Sequence, residues 1–191
     1  MENIRLAIFV SGGGTNCENI IRHFQGNEHV SIPIVVSSSA DAYAITRAHN
    51  LGVATTVITR KQLNEEPDRV FAATEGCDYI ILAGFLPKVP EYLIERYPNR
   101  IINIHPALLP KFGGKGMWGH HVHEAVKAAG ETESGITIHY VNAELDQGEH
   151  IAQYSTPLSP DDTAEDIADK VHVLEMKYFP NVIEKVIFGR K

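Results

Sequence analysis

Apolar and polar positions along the chain follow two alternating periods. Apolar runs typical of buried strands recur at residues 4–10, 30–37, 53–58, 78–84 and 100–105. Amphipathic segments between them predict helices at residues 16–24, 41–50, 68–74 and 90–96. Strands that alternate with helices predict a Rossmann-like α/β fold, in which a mostly parallel, twisted sheet carries helices on both faces.

The last third of the chain breaks this alternation. Segments 135–141 and 150–156 predict two strands joined by a loop. A long helix is predicted to begin near Thr163, and Pro180 is expected to bend or interrupt it. Its apolar stripe consists of Ile167, Val171, Leu174 and Tyr178. Because no repeat or linker-like segment divides the 191 residues, we expect a single domain over 1–191.

Composition narrows the classes of partner. The chain has 24 acidic against 17 basic residues and a net charge of −7, which disfavours nucleic acid and anionic membranes as partners. No apolar run reaches membrane-spanning length and no signal peptide is evident, so we expect a cytoplasmic protein. The two cysteines, Cys17 and Cys77, form no CxxC motif, which is consistent with a reducing compartment.

The end of one predicted strand, "IINIHPALLP" at residues 101–110, places an amide and an imidazole two positions apart. Side chains two apart on a strand share a face, so Asn103 and His105 are expected to point the same way. Pro106 and Pro110 stiffen the exit from the strand. This arrangement is more typical of a functional site than of a core.

A glycine-rich turn, "SGGGTN" at residues 11–16, joins the first strand to the first helix. Three glycines let the backbone approach a ligand, and free N–H groups at the helix start favour an anion such as phosphate. The motif is neither GxGxxG nor a Walker loop. A structural turn without a ligand remains an alternative.

Histidines and one acidic residue supply further candidates. His120, His121 and His123 lack the spacing of a zinc site, so solvated histidines at a helix start are the preferred interpretation and no metal is expected. His139 is interpreted as a packed or site-wall histidine. Asp146 is either a turn residue or, if it lies near His105, a carboxylate that stabilises the imidazolium.

Four motifs belong together: "SGGGTN", "LAGF" at 82–85, "NIHPALLP" from Asn103 and "ELDQG" from Glu144. In this combination the chain resembles the glycinamide ribonucleotide formyltransferases of the folate-dependent formyltransferase superfamily. The motifs occur in the family's order over nearly the whole chain. The resemblance implies the formyltransferase fold and transfer of a formyl group from 10-formyltetrahydrofolate to the amine of glycinamide ribonucleotide in purine biosynthesis. It implies no metal and leaves the oligomeric state unknown.

The resemblance also implies roles for individual residues. Asn103, His105 and Asp146 match the catalytic triplet, in which the first two stabilise a tetrahedral oxyanion and Asp146 supports protonated His105. The substrate-binding residues implied are Gly13, Gly14, Thr15, Asn16, Cys17, Glu18 and Glu175. The folate-binding residues implied are Leu86, Pro87, Lys88, Val89, Asn103, Asn142, Ala143, Glu144, Leu145 and Asp146.

The chain departs from the family at two places. Pro87 stands where the family often has an arginine, with Lys88 as a partial substitute and Arg60 and Lys61 as candidates for the folate tail. The stretch "KFGGKGMWGHH" at 111–121 is longer than in typical members.

Three other functions are considered. A methionyl-tRNA formyltransferase needs a further domain and a basic surface, neither of which is evident. A formyltetrahydrofolate hydrolase uses the same core with water as acceptor, and a nonenzymatic nucleotide-binding module needs only the glycine-rich turn.

Overall fold

The computed structural model describes residues 3–189, which form two compact units divided between Ile102 and Asn103. None of the helices within these residues is long and apolar enough to cross a membrane.

The first unit is an α/β sheet. Its strands lie in the order β3-β2-β1-β4-β5, and β1 is parallel to both β2 and β4, as β2 is to β3. The strands are β1 (Ile4–Val10), β2 (Val30–Ser37), β3 (Ala54–Val57), β4 (Tyr79–Leu82) and β5 (Ile101–His105), the last of which continues into the second unit. The helices are α1 (Thr15–Phe24), α2 (Tyr43–Asn50), α3 (Arg60–Glu65), α4 (Pro67–Ala73) and α5 (Glu91–Arg96).

The parallel arrangement follows from the apolar runs. Residues Leu6 to Val10 of β1 are all fully buried, as expected for a strand that is covered on both faces. The predicted alternation of strands and helices is confirmed in this unit. The sequence reading missed α3, although Thr59 and Gln62 form a capping box at its start, which is a recognisable signal.

The second unit contains the end of β5, followed across the sheet by β6 (Glu133–Tyr140) and β7 (His150–Pro157). The predicted strand pair is confirmed, because β6 and β7 are antiparallel neighbours. Its helices are α6 (His120–Ala128) and α7 (Ala164–Ile187), and α7 packs against α6, β6 and β7.

Helix α7 begins where the sequence predicts. Thr163 caps it through a capping box with Asp166. The sequence predicts that Pro180 bends or interrupts this helix, and the interruption is wrong, since α7 continues to Ile187. Phe179, Val182 and Ile183 are buried on either side of the proline. Proline has no backbone N–H, so the helix lacks one hydrogen bond there, and burial of these side chains offsets that loss.

Candidate active site

The end of strand β5 holds the two side chains that the sequence singled out. His105 is 4% exposed, and Asn103 is partly buried. The Nδ2 atom of Asn103 lies 3.1 Å from Nε2 of His139, a buried histidine on β6. The sequence reading therefore placed His139 correctly as a packed histidine, and the structure adds that it contacts Asn103.

The two ring nitrogens of His105 have different surroundings. Nε2 donates a hydrogen bond to the carbonyl oxygen of Phe112 at 2.7 Å, since a carbonyl can only accept. Nδ1 faces Oδ2 of Asp146 at 3.7 Å, which is too long for a hydrogen bond but within electrostatic range. The Phe112 carbonyl thus fixes the ring and leaves Nδ1 as the nitrogen available for chemistry.

Asp146 joins the same cluster through both carboxylate oxygens. Oδ2 accepts a hydrogen bond from the Gly114 backbone N–H at 2.8 Å, and Oδ1 lies 3.8 Å from Nε2 of His139. The structure therefore brings the predicted carboxylate to His105. The sequence had no means of identifying the Phe112 carbonyl as the partner of His105, or the Gly114 N–H as the partner of Asp146.

The backbone around this cluster adopts uncommon conformations. Asp146 and Phe112 have φ of 56° and 55°, in the left-handed region that residues with a side chain seldom enter. Between Phe112 and Gly114, Gly113 has no room for a side chain, because a Cβ there would lie 2.5 Å from Leu109 Cδ2 and 3.3 Å from Asp146 Cβ. Strained positions of this kind concentrate at functional sites.

The three histidines at the start of α6 differ from one another. His120 and His121 are exposed, as the sequence predicts, and the structure adds that both face Glu124. For His123 the prediction of a solvated side chain is wrong, because it is 7% exposed and its Nδ1 has no hydrogen-bond partner within residues 3–189. Burial lowers the pKa of His123, and nearby His120 and His105 lower it further. Glu175 acts in the opposite direction and raises this pKa. Across the described residues, no group of three or more His, Cys, Asp or Glu side chains is placed to hold a metal ion.

In the first unit, the glycine turn leads directly into α1. Side chains added at Gly12 or Gly13 would meet nothing within 4 Å, so the backbone is open there. Gly14 is different, since its φ is 77° and a Cβ would lie 2.6 Å from Ala44 Cα. Gly14 is therefore required by packing against α2, whereas Gly12 and Gly13 leave space for a ligand.

An arginine that the sequence reading missed braces this turn. Arg47 on α2 donates from Nε to the Gly13 carbonyl at 2.8 Å and forms a salt bridge with Glu18. Hydrogen bonds from Arg22 and then Arg47 lower the pKa of Glu18. Because the Glu18 N–H also donates to Gly14 O, neither its backbone nor its carboxylate is placed to receive a phosphate.

Cys17 lies within the predicted phosphate-binding stretch. Its side chain is fully buried, and burial raises its pKa to about 12. The thiol is therefore neutral and inert, and only the backbone N–H of Cys17 at the start of α1 can serve a ligand.

The segments predicted to contact folate expose apolar side chains. Leu86 in the first unit is 58% exposed, and its N–H donates to Ser11 Oγ at 2.9 Å. Val89 is buried, and Lys88 is exposed. In the second unit, Leu145 is 42% exposed in the loop that begins at Asn142. Leu86 and Leu145 thus leave apolar surface accessible to solvent in their respective units.

Three further predicted residues are charged. Glu175 on α7 has a side chain that is 15% exposed and accepts a hydrogen bond from His172 Nδ1 at 3.0 Å. This bond raises the pKa of His172. Arg60 and Lys61 lie at the start of α3, where Lys61 faces Glu65 at 3.8 Å.

Comparison with known proteins places this geometry in a class. The family model described as "Formyl transferase" matches residues 4–183. Among the relatives, phosphoribosylglycinamide formyltransferase from Haemophilus influenzae is 32% identical, over 97% of this chain and 88% of its own length. The chloroplastic enzyme of the same name from Arabidopsis thaliana is 37% identical over 94% of this chain, which spans 64% of that plant protein's length.

A solved structure agrees with these sequences. Phosphoribosylglycinamide formyltransferase from Brucella melitensis superposes with a TM-score of 0.86, is 35% identical, and is matched over 97% of this chain and 96% of its own. The predicted fold class is thereby confirmed. The chain belongs to the formyl transferase family, in its phosphoribosylglycinamide formyltransferase branch.

Proposed function

We propose that the protein transfers the formyl group of 10-formyltetrahydrofolate to the amine of glycinamide ribonucleotide. The observation that carries this proposal is the partly buried cluster at the end of β5, where Asp146 faces His105 and His139 lies between Asn103 and Asp146. Amide and imidazole donors beside one carboxylate suit a reaction in which negative charge develops on a carbonyl oxygen and a proton must move. Family membership supports the same reaction.

The proposed mechanism is direct attack. The substrate amine bonds to the formyl carbon, and the formyl oxygen takes up negative charge. Asn103 Nδ2 and protonated Nδ1 of His105 stabilise that charge, because His105 Nε2 is already committed to Phe112. Asp146 stabilises the imidazolium and accepts the amine proton, which is passed on to the departing folate nitrogen as its bond to carbon breaks.

The substrate contacts are proposed within each unit. In the first, the phosphate of the ribonucleotide binds backbone N–H groups between Gly13 and Cys17, beside the space that Gly12 and Gly13 leave, with Arg47 as the nearby cation. Leu86 to Val89 contact folate there. In the second unit, the loop from Asn142 to Asp146 contacts folate, and Glu175 accepts hydrogen bonds from the sugar hydroxyls.

One assay tests the reaction. The protein is incubated with 10-formyltetrahydrofolate, with and without glycinamide ribonucleotide, and release of tetrahydrofolate is followed. Release that requires the nucleotide supports transfer. Equal release without it indicates a hydrolase, and no release in either case indicates a binding module. Asp146→Asn is the matched control, since an activity that survives in this variant does not arise from the cluster.

We also propose that the protein works in the cytoplasm. Cys17 and Cys77 are both free thiols, which supports a reducing compartment. The Arabidopsis relative is named as chloroplastic, so the compartment differs among relatives. Cell fractionation with an antibody against the native protein tests this assignment.

A further inference from the structure

His139 has a defined proton arrangement. Its Nδ1 lies 2.9 Å from the carbonyl oxygen of Tyr140, and because a carbonyl can only accept, the proton resides on Nδ1. Its Nε2 lies 3.1 Å from Nδ2 of Asn103, an amide nitrogen that can only donate. Nε2 must therefore hold a lone pair, and His139 is the neutral tautomer with hydrogen on Nδ1.

This tautomer constrains Asn103. If the Asn103 amide were turned by half a rotation, its carbonyl oxygen would face the lone pair of His139 and two acceptors would repel each other. With Nδ2 towards His139, one amide hydrogen is bound and the second stays available to another acceptor. We propose that His139 is a positioning residue, which sets the orientation of the Asn103 amide by accepting a hydrogen bond at Nε2. Its catalytic consequence rests on the proposed function.

Strand β6 is built to hold the end of β5 in this way. The pairing of β6 with β7 shifts register between Ile138 and His139, so the regular ladder ends at the position of His139. Two residues earlier, Thr137 accepts a hydrogen bond from Leu109 N–H at 2.9 Å and donates to Ala107 O at 2.7 Å. Thr137 thus fixes the backbone after β5, while His139 fixes the amide on it.

The electrostatic surroundings keep His139 neutral. Burial lowers the pKa of His139, and nearby His105 and His150 act in the same direction. The Tyr140 carbonyl and Asp146 act in the opposite direction, but burial has the largest effect. Nε2 therefore remains an acceptor near neutral pH, and protonation in acid would replace it with a donor that faces the Asn103 donor.

A purely structural role is the alternative, in which His139 only anchors the end of β6 through Tyr140. Two substitutions separate the roles. In His139→Gln, the longer side chain reaches the place of Nε2 and supplies an acceptor. In His139→Asn, the shorter side chain reaches only the place of Nδ1 and keeps the donor to Tyr140.

We expect His139→Gln to keep kcat within a few-fold of wild type, and His139→Asn to lower kcat by about 10- to 100-fold. KM for both substrates should change little, because the affected hydrogen bond strengthens only in the transition state. The opposite pattern, an active Asn variant and an impaired Gln variant, would overturn the proposal. Thermal unfolding of both variants establishes that each is folded.

A second measurement needs no activity. ¹⁵N NMR of the wild-type imidazole at neutral pH should show hydrogen on Nδ1 and a lone pair on Nε2 of His139. The side-chain NH₂ resonances of Asn103 should shift in His139→Asn and stay close to wild type in His139→Gln. A proton on Nε2, or a charged ring, would contradict the proposal even in an active enzyme. If the wild-type protein transfers no formyl group, the proposed function is refuted. The orientation of the Asn103 amide by His139 is then still tested by these NMR measurements.

Discussion

The glycine turn of the first unit and the β5 cluster of the second are built in opposite ways. The turn uses consecutive residues, 11–16, and offers backbone N–H groups. The cluster draws side chains from positions as far apart as Asn103 and Asp146, and backbone groups of Phe112 and Gly114 hold them in place. A consecutive motif can be read directly from a sequence, whereas a dispersed cluster becomes visible only when the chain is folded.

The largest expected effect comes from removing the charge at the centre of the cluster. Asp146→Asn should lower kcat by roughly 10²–10⁴, because the imidazolium of His105 loses its counter-charge and the amine proton loses its acceptor. Asparagine can still accept the hydrogen bond from Gly114 N–H, so the strained turn should persist. Steady-state kinetics measure the loss.

Nucleotide binding is the control for this variant. Calorimetry on Asp146→Asn should give nearly wild-type affinity for glycinamide ribonucleotide, since Asp146 is proposed to act on the transferred proton and not to hold the phosphate or the sugar. Turnover close to wild type would refute the role of Asp146.

Removal of either donor on β5 should have the next largest effect. Asn103→Ala and His105→Ala are each expected to lower kcat by roughly 10²–10³, the usual cost of one oxyanion donor. The double variant should lose less than the product of the two factors, because both side chains stabilise one developing charge. Fully multiplicative losses in folded proteins would indicate that the two residues act independently.

The contrast between the two regions explains what the sequence could predict. Asn103 and His105 were predictable because the two-residue period of a strand fixes their common face. Phe112 and Gly114 were not, because they contribute backbone groups whose direction depends on the left-handed turn around them. Arg47 was missed because its partner, Gly13, is distant in sequence and a carbonyl leaves no trace in residue type.

The predictions for His123 and Pro180 were wrong because burial in the folded protein cannot be seen in a local sequence pattern. The adjacent histidines of α6 look alike in sequence, but the 100° rotation per residue of a helix turns His123 into the protein and His121 to solvent. The sequence predicts that Pro180 bends or interrupts α7, but the helix continues through it, because tertiary packing of Phe179 and Val182 outweighs the local preference of proline. Local patterns thus fixed most of the elements, while long-range contacts decided the exceptions.

The glycine turn can be tested by contrasting two neighbouring glycines. Gly13→Val should weaken binding of glycinamide ribonucleotide by about tenfold or more, roughly 1.4 kcal/mol, and leave folate binding unchanged. The new side chain meets nothing within the protein at Cβ, so only a ligand can be obstructed there. Calorimetry with each ligand measures both affinities.

Gly14→Ala is the matched comparison for Gly13→Val. It should lower thermal stability, because φ of 77° and contact with Ala44 both oppose a Cβ. If Gly13→Val bound the nucleotide as tightly as wild type, the open backbone at Gly13 would not be a phosphate site, and a structural turn would be the better interpretation.

The smallest expected effect concerns the stability of the protein in acid, which depends on the buried His123 of the second unit. The folded-state pKa of His123 lies below its ordinary value of about 6.5, chiefly because of burial. As pH falls through the ordinary value of about 6.5, His123 of the unfolded chain binds a proton, whereas buried His123 of the folded protein stays neutral. The free energy of unfolding therefore decreases. His123→Leu removes this titration and should make stability less dependent on pH below about 6.5, by at most about 1.4 kcal/mol per pH unit.

His121→Leu, an exposed position on the same helix, is the control and should leave the dependence of stability on pH unchanged. Urea unfolding at several pH values between 7 and 5 measures the slopes. Equal slopes for wild type and both variants would mean that His123 is not held neutral by its burial.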